Sequence, residues 1–273
     1  MIARQRWFWA SCAAWLFASP LSAQLRPVAP LDWDLLGSAH TLNVAFGVGY
    51  LRDQQASLAG TRGDLVELGN FQVAWRSGRI IVEIAGTLRR RFEDDSVVRP
   101  PILGTDPPTG QARTDAGDIL ASTLVRLSRG TRPVLLALRF GTRLPTTSNE
   151  PGLDRDRTDF FASFGARYRA GPFAIGAETG VGILGTRTDG VDQLDVLTYS
   201  AALEWRAGAF TTIATVTGQD DMHSRVIRGN EDLSEVRLGV RAGQRLWVSA
   251  FAIKGLADFS PGSGILLMAG FRR

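Results

Sequence analysis

The segment Val134-Leu-Leu-Ala-Leu-Arg-Phe-Gly-Thr-Arg-Leu-Pro145, followed after a polar interval by Thr158-Asp-Phe-Phe-Ala-Ser-Phe-Gly-Ala-Arg-Tyr-Arg169, decides the fold. In the first arm Val134, Leu136, Leu138 and Phe140 alternate with Leu135, Ala137, Arg139 and Gly141. A period of two places alternate side chains on opposite faces of a strand. In the second arm Phe160, Ala162, Phe164, Ala166 and Tyr168 form the apolar row, and Asp159, Phe161, Ser163, Gly165 and Arg167 the other. Between the arms, Thr146 to Asp156 holds Pro151, Gly152 and several charges, which predicts a loop. The unit reads as a hairpin with arms of about a dozen residues. Soluble strands usually run ~5–6 residues, whereas a tilted strand needs ~9–11 to cross a bilayer.

The same alternation recurs on both sides of this hairpin. Upstream it predicts strands over 42–50, 69–75, 80–88 and 117–128, with a polar loop at 52–63 and a tight turn at 76–79. Residues 91–116 contain Pro100, Pro101, Pro107 and Pro108 and read as the largest loop, outside any sheet. Downstream, strands are expected over 173–183, 197–205, 209–217, 235–241, 247–253 and 265–271, with a loop at 187–192 and a strongly charged one at 219–232. The tally is about twelve, and long polar connections alternate with tight ones. That pattern predicts an all-β fold, a transmembrane antiparallel up-and-down β-barrel of about 12 strands with apolar rows facing lipid and polar rows facing the lumen. Tyr50, Trp75, Tyr168, Trp205 and Trp247 sit near strand ends, as interfacial girdles require. A soluble sandwich would bury the same rows between two sheets, but the strands are long for it and the glycine-rich second faces would cover it poorly.

At the N-terminus, Arg4 and Arg6 precede the apolar run Trp7–Ala18 and the small residues Ser19 to Ala23. This reads as a secretory signal over residues 1–23. Residues 24–39, with Pro27 and Pro30, follow as a periplasmic lead-in or a short plug, and 40–273 as the barrel. Losing Arg4 and Arg6 takes the formal charge from +4 to +2, and no basic patch with interleaved aromatics is present, so nucleic acid is not an expected partner. Cys12 is the only cysteine and leaves with the signal, which removes disulfides and thiol catalysis.

If the apolar rows face lipid, Glu83, Arg139, Arg143, Asp159, Arg167, Glu178, Glu204, Glu235, Arg237, Arg241 and Lys254 line the lumen. They are expected either to pair as a structural network or to form a cationic constriction that selects anionic or aromatic solutes. The only histidines, His40 and His223, stand beside no serine on a matching row, and no His-Asp-Ser-Asn-Gly segment occurs, so catalysis is not expected. Isolated histidines make no metal cluster, and the acidic pairs Asp220-Asp221 and Glu231-Asp232 read as solvated loop. No cofactor is expected.

Leu138-Arg-Phe-Gly-Thr-Arg-Leu-Pro-Thr-Thr-Ser148, then Gly152-Leu153 and Thr158-Asp159-Phe160, resembles the hairpin of the outer-membrane channel family called transporter or MetA-pathway of phenol degradation. The match spans about thirty residues, and Thr147 replaces the family's usual glycine. The resemblance implies a passive channel for small, aromatic or hydrophobic solutes in the outer membrane of a Gram-negative-type bacterium. A barrel with a structural or surface-interaction role, and then a lipid-modifying barrel enzyme, are the alternatives. The expected partners are outer-membrane lipid, the solute and the barrel-assembly machinery, with the chain a monomer.

Overall fold

A computed structural model describes residues 25–273 except 32, 38–40, 103, 108–109, 111, 129–132, 147–149, 187–192 and 223–227. The signal segment 1–23, Thr147 and both histidines lie outside the described residues. The strands are β1 (Leu42–Ala56), β2 (Thr61–Ser77), β3 (Ile80–Val97), β4 (Arg113–Asp115), β5 (Ile119–Arg126), β6 (Val134–Leu144) and β7 (Asp159–Ala170). They continue as β8 (Phe173–Gly185), β9 (Gln193–Ala207), β10 (Phe210–Asp221), β11 (Leu233–Gly243), β12 (Leu246–Gly255) and β13 (Ser263–Arg272), and a short helix α1 (Trp33–Gly37) precedes them.

Every strand but β4 pairs antiparallel with its sequence neighbours, and β1 pairs with β13 in the register Val44↔Phe271 through Tyr50↔Ile265. Twelve strands therefore close into a ring, and β4 is a short flap on the upper part of β3. Closure gives each of the twelve ring strands a partner on both sides, which is the condition for spanning a bilayer with sheet. The opening hairpin holds its expected register, from Val134↔Tyr168 to Arg143↔Asp159. Its tight partner turn at 171–172 needs Gly171, whose φ of 57° lies in the left-handed region.

Outside, Phe46, Trp75, Phe140, Phe164, Tyr168, Leu203, Trp205 and Leu238 are all exposed, a lipid-facing band with aromatics at its borders. Leu238, mid-strand in β11, is 60% exposed. Leu238→Arg is accordingly expected to cost about 2–4 kcal/mol. A heat-modifiable band whose melting midpoint did not move would remove this residue from the lipid face.

Three expectations change. The loop expected at 52–63 shrinks to a turn at 57–60, since β1 reaches Ala56 and β2 begins at Thr61. The segment 91–116 is sheet in part, because β3 runs on to Val97 and β4 pairs Arg113 with Phe92. Above the bilayer the outer face of the wall meets water, so the apolar row stops while the ladder continues. The third change is the face of β12. Register with β11 sets Ser249 beside Arg241 and Phe251 beside Gly239, so Trp247, Ser249, Phe251 and Ile253 point inward. Trp247 is only 7% exposed and is no girdle residue, while Lys254 faces outward. The outward row of Leu246, Val248, Ala250 and Ala252 is equally apolar, so hydropathy alone could not choose between the faces of this strand.

A bulge sits between Gly47/Val48 in the β1–β2 register, at Gly69, whose φ is 68°. It restores the inward direction to Glu67 on one side and Asn70 on the other, so polar groups keep facing the lumen across it.

Candidate functional site

The lumen is where polar chemistry collects. Glu83, Arg139, Arg143, Asp159, Arg167, Glu178, Glu204 and Glu235 are buried within it, and Arg237 and Arg241 are half-buried. Buried charges in such a space need partners close by. Arg139 Nη2 lies 3.1 Å from Glu178 Oε1, and Ser163 Oγ donates to the same oxygen at 2.5 Å. Arg167 Nη2 lies 2.5 Å from Glu204 Oε2, Arg143 Nη1 lies 3.5 Å from Asp159, and Gln72 donates to Glu83 at 2.9 Å.

The segment from Leu25 through α1 contacts strands on every side of the ring, which places it inside the barrel. Arg139 Nη1 donates to the Ala29 carbonyl at 2.9 Å, Thr217 Oγ1 to Val28 at 3.0 Å, and Arg167 Nη1 to Trp33 at 3.2 Å. Arg76 and Arg126, at the short-turn ends of β2 and β5, donate to Leu35 and Leu36. The Leu31 N–H donates in turn to Glu178 Oε2 at 3.3 Å. These bonds satisfy an irregular backbone that has no ladder of its own. Trp33 seats against two glycines: a Cβ at Gly165 would stand 2.8 Å from its ring and one at Gly176 2.8 Å from its Nε1. The small inner face of β7 and β8 is thus the room this tryptophan fills.

Arg26 holds the other end. Its Nη1 lies 3.0 Å from Glu67 and its Nη2 3.0 Å from Glu235, with Nε adding a second contact to Glu235 at 3.3 Å. Glu235 also accepts from Arg237 Nε at 2.6 Å, and Glu67 lies 3.6 Å from Arg90 Nε. Arg90 then pairs through Nη1 with Asp154 of the β6–β7 loop. One chain of ion pairs therefore runs from the external loop through the wall and the lumen segment to β11. Burial pushes the Asp154 carboxyl above the ordinary aspartate range, and the pull of Arg90 works against that shift.

The external loops fold inward over this chain. Glu231 accepts from Ser57 Oγ, from Arg99 Nη2 at 2.9 Å and from the Gly229 N–H at 2.8 Å, while Arg155 reaches both Asn230 and Asp159. Beneath them Leu25 shares an apolar cluster with Leu51, Leu65, Phe92 and Leu153, all essentially inaccessible. Beside the lumen segment remains a cavity of about 340 Å³. Its wall mixes arginines (Arg26, Arg90, Arg143, Arg237, Arg241, Arg272) with Leu31, Trp33, Trp247 and Phe251. Among the described residues no group of three histidine, cysteine or acidic side chains is placed to hold a metal.

Sequence reasoning missed Arg26, Glu67, Arg90, Asp154 and Arg272. Glu67 and Arg90 flank stretches read as loop and so had no assigned face. Arg272 turns inward and donates through Nε to Asn43 at 3.2 Å, rather than trailing behind the last strand.

No family model and no curated protein matches the chain. Among solved structures it is similar to an outer-membrane channel from Pseudomonas putida F1, with a TM-score of 0.59 at 11% identity over 90% of this chain and 100% of that one. It is also similar to the NanC porin, with a TM-score of 0.53 at 8% identity over 85% and 98%. Joined to the ring closure and the exposed apolar band, these likenesses give the architecture: the chain is a twelve-stranded outer-membrane β-barrel whose lumen is occupied by its own N-terminal segment.

Proposed function

We propose that the chain is a passive outer-membrane channel for small aromatic or hydrophobic solutes, with residues 24–39 acting as a plug and 40–273 as the barrel behind a cleaved leader, residues 1–23. The cavity of about 340 Å³ carries this reading, because it follows the plug and offers apolar and aromatic wall between charged groups. An aqueous lumen with such lining passes a solute whose ring can move along the apolar surface while arginines repel cations. The lumen carboxylates and arginines serve mostly as the network that holds the plug. The chain acts alone, is inserted by the barrel-assembly machinery through its last strand, and performs no catalysis.

Reconstitution tests this. Planar bilayers with the purified chain are expected to show a small, fluctuating conductance, and vesicles to swell in benzyl alcohol faster than in a sugar of similar mass. The inward-folded external loops favour a second reading, a barrel that does not transport and acts through its surface. Absence of any conductance or swelling would select it.

A further inference from the structure

We propose that Trp247, Arg241 and Arg272 form a binding site for a small planar aromatic carboxylate in the periplasmic half of the lumen. This deepens the channel reading, since such a solute reaches the site only by entering the lumen. Trp247, the second residue of β12, is 7% exposed, and its indole N–H has no acceptor among the described residues. Its side chain belongs to the wall of the cavity. A buried donor without an acceptor is costly and rare in a settled structure, so this one points to a ligand that brings an acceptor oxygen.

The charge around it has the matching sign. The Arg241 and Arg272 guanidiniums stand 5.9 Å and 5.4 Å from the indole centroid. Asn43 fixes Arg272 through its Nε. Among the carboxylates that line the cavity, Glu67, Asp154 and Glu204 are each held by arginines, and Glu83 accepts from Gln72 at 2.9 Å.

The apolar surface has the matching shape. Trp247 lies flat over Gly270, where a Cβ would stand 2.4 Å from its ring, and Phe251 lies over Gly239 with the same 2.4 Å clearance. Two rings laid against glycine backbone make a flat wall on which another ring can stack. A carboxylate at the rim of that ring would accept from the indole N–H and from the guanidiniums together, in charge-assisted hydrogen bonds.

Equilibrium dialysis of radiolabelled benzoate against the detergent-solubilised full chain reads the site without requiring conduction. One saturable site per chain is expected, with benzyl alcohol and acetate each a poor competitor. Trp247→Phe keeps the ring and removes the donor, and should weaken benzoate about 5-fold; Arg241→Gln should weaken it 10-fold or more. The heat-modifiable gel shift establishes that each variant is folded. Equal competition by benzyl alcohol and benzoate, or benzoate affinity unchanged in the folded Trp247→Phe and Arg241→Gln variants, would overturn the site. Saturable benzoate binding without solute flux would keep the site and discard the channel; flux without saturable binding would do the reverse.

Discussion

Deleting residues 25–37 behind the same leader is expected to raise single-channel conductance several-fold while the barrel still assembles. The segment donates or accepts hydrogen bonds with β2, β5, β6, β7, β8, β10 and β11, so it crosses the space that a twelve-stranded ring would otherwise leave to water. The ring itself is held by its ladders and by lipid on the exposed apolar band, neither of which uses the segment. The deletion does remove Arg26, and Glu67 and Glu235 then keep Arg90 and Arg237 as their arginine partners among the described residues. The melting midpoint of the heat-modifiable band should therefore fall, by an amount that Arg26→Ala alone reproduces in large part. Planar-bilayer recording decides the matter: a deleted chain that folds, yet conducts no better than the intact one, would mean that the external loops alone set the resistance.

The hairpin of β6 and β7 was legible because both of its walls are simple: lipid outside, charged lumen inside, and a period of two between them. Arg139, Arg143, Asp159 and Arg167 could be assigned to one inner face from that alternation alone. Where the wall meets water outside as well, the signal fails for a physical reason. Arg89 to Asp95 carry charge in nearly every position, so β3 looks like loop although its ladder with β2 continues to Val97. In β12 both rows are apolar, because the inner one builds the aromatic wall beside the cavity, and only pairing with β11 reveals the direction.

The lumen segment is the least legible element. Its side chains meet partners all around the ring, so no periodicity marks it, and most of its bonds run through backbone carbonyls, which any residue supplies. The trace it left in the sequence lies elsewhere, in Gly165 and Gly176, which make room for Trp33. Inner glycines set diagonally on neighbouring strands of a barrel, as Gly165 and Gly176 are, are a usable sign of something seated against the wall.

The ion-pair chain gives the last expectation: if the barrel conducts as proposed, Arg90→Ala should raise its open probability. Arg90 is buried between Asp154 of the β6–β7 loop and Glu67 of β2, and Glu67 in turn holds Arg26. Burial already pushes Asp154 towards its neutral form, and Arg90 supplies the strongest opposing pull, ahead of Arg143, so losing the arginine weakens what holds that charge beneath the loops. Removing one member of a buried pair costs about 3–5 kcal/mol. Moving a two-state equilibrium from 1:99 to 99:1 takes about 5.5 kcal/mol, so one substitution supplies most of that range. Single-channel records should show open probability rising, and limited proteolysis should cut within 145–158 faster than in the intact chain. Arg90→Lys, which keeps the charge but loses the paired geometry, should fall between. In the double variant with Asp154→Asn the uncompensated carboxylate is gone, so the two changes should combine to less than their sum. Strict additivity, or open probability unmoved by Arg90→Ala, would show that the loops close the mouth without help from the lumen.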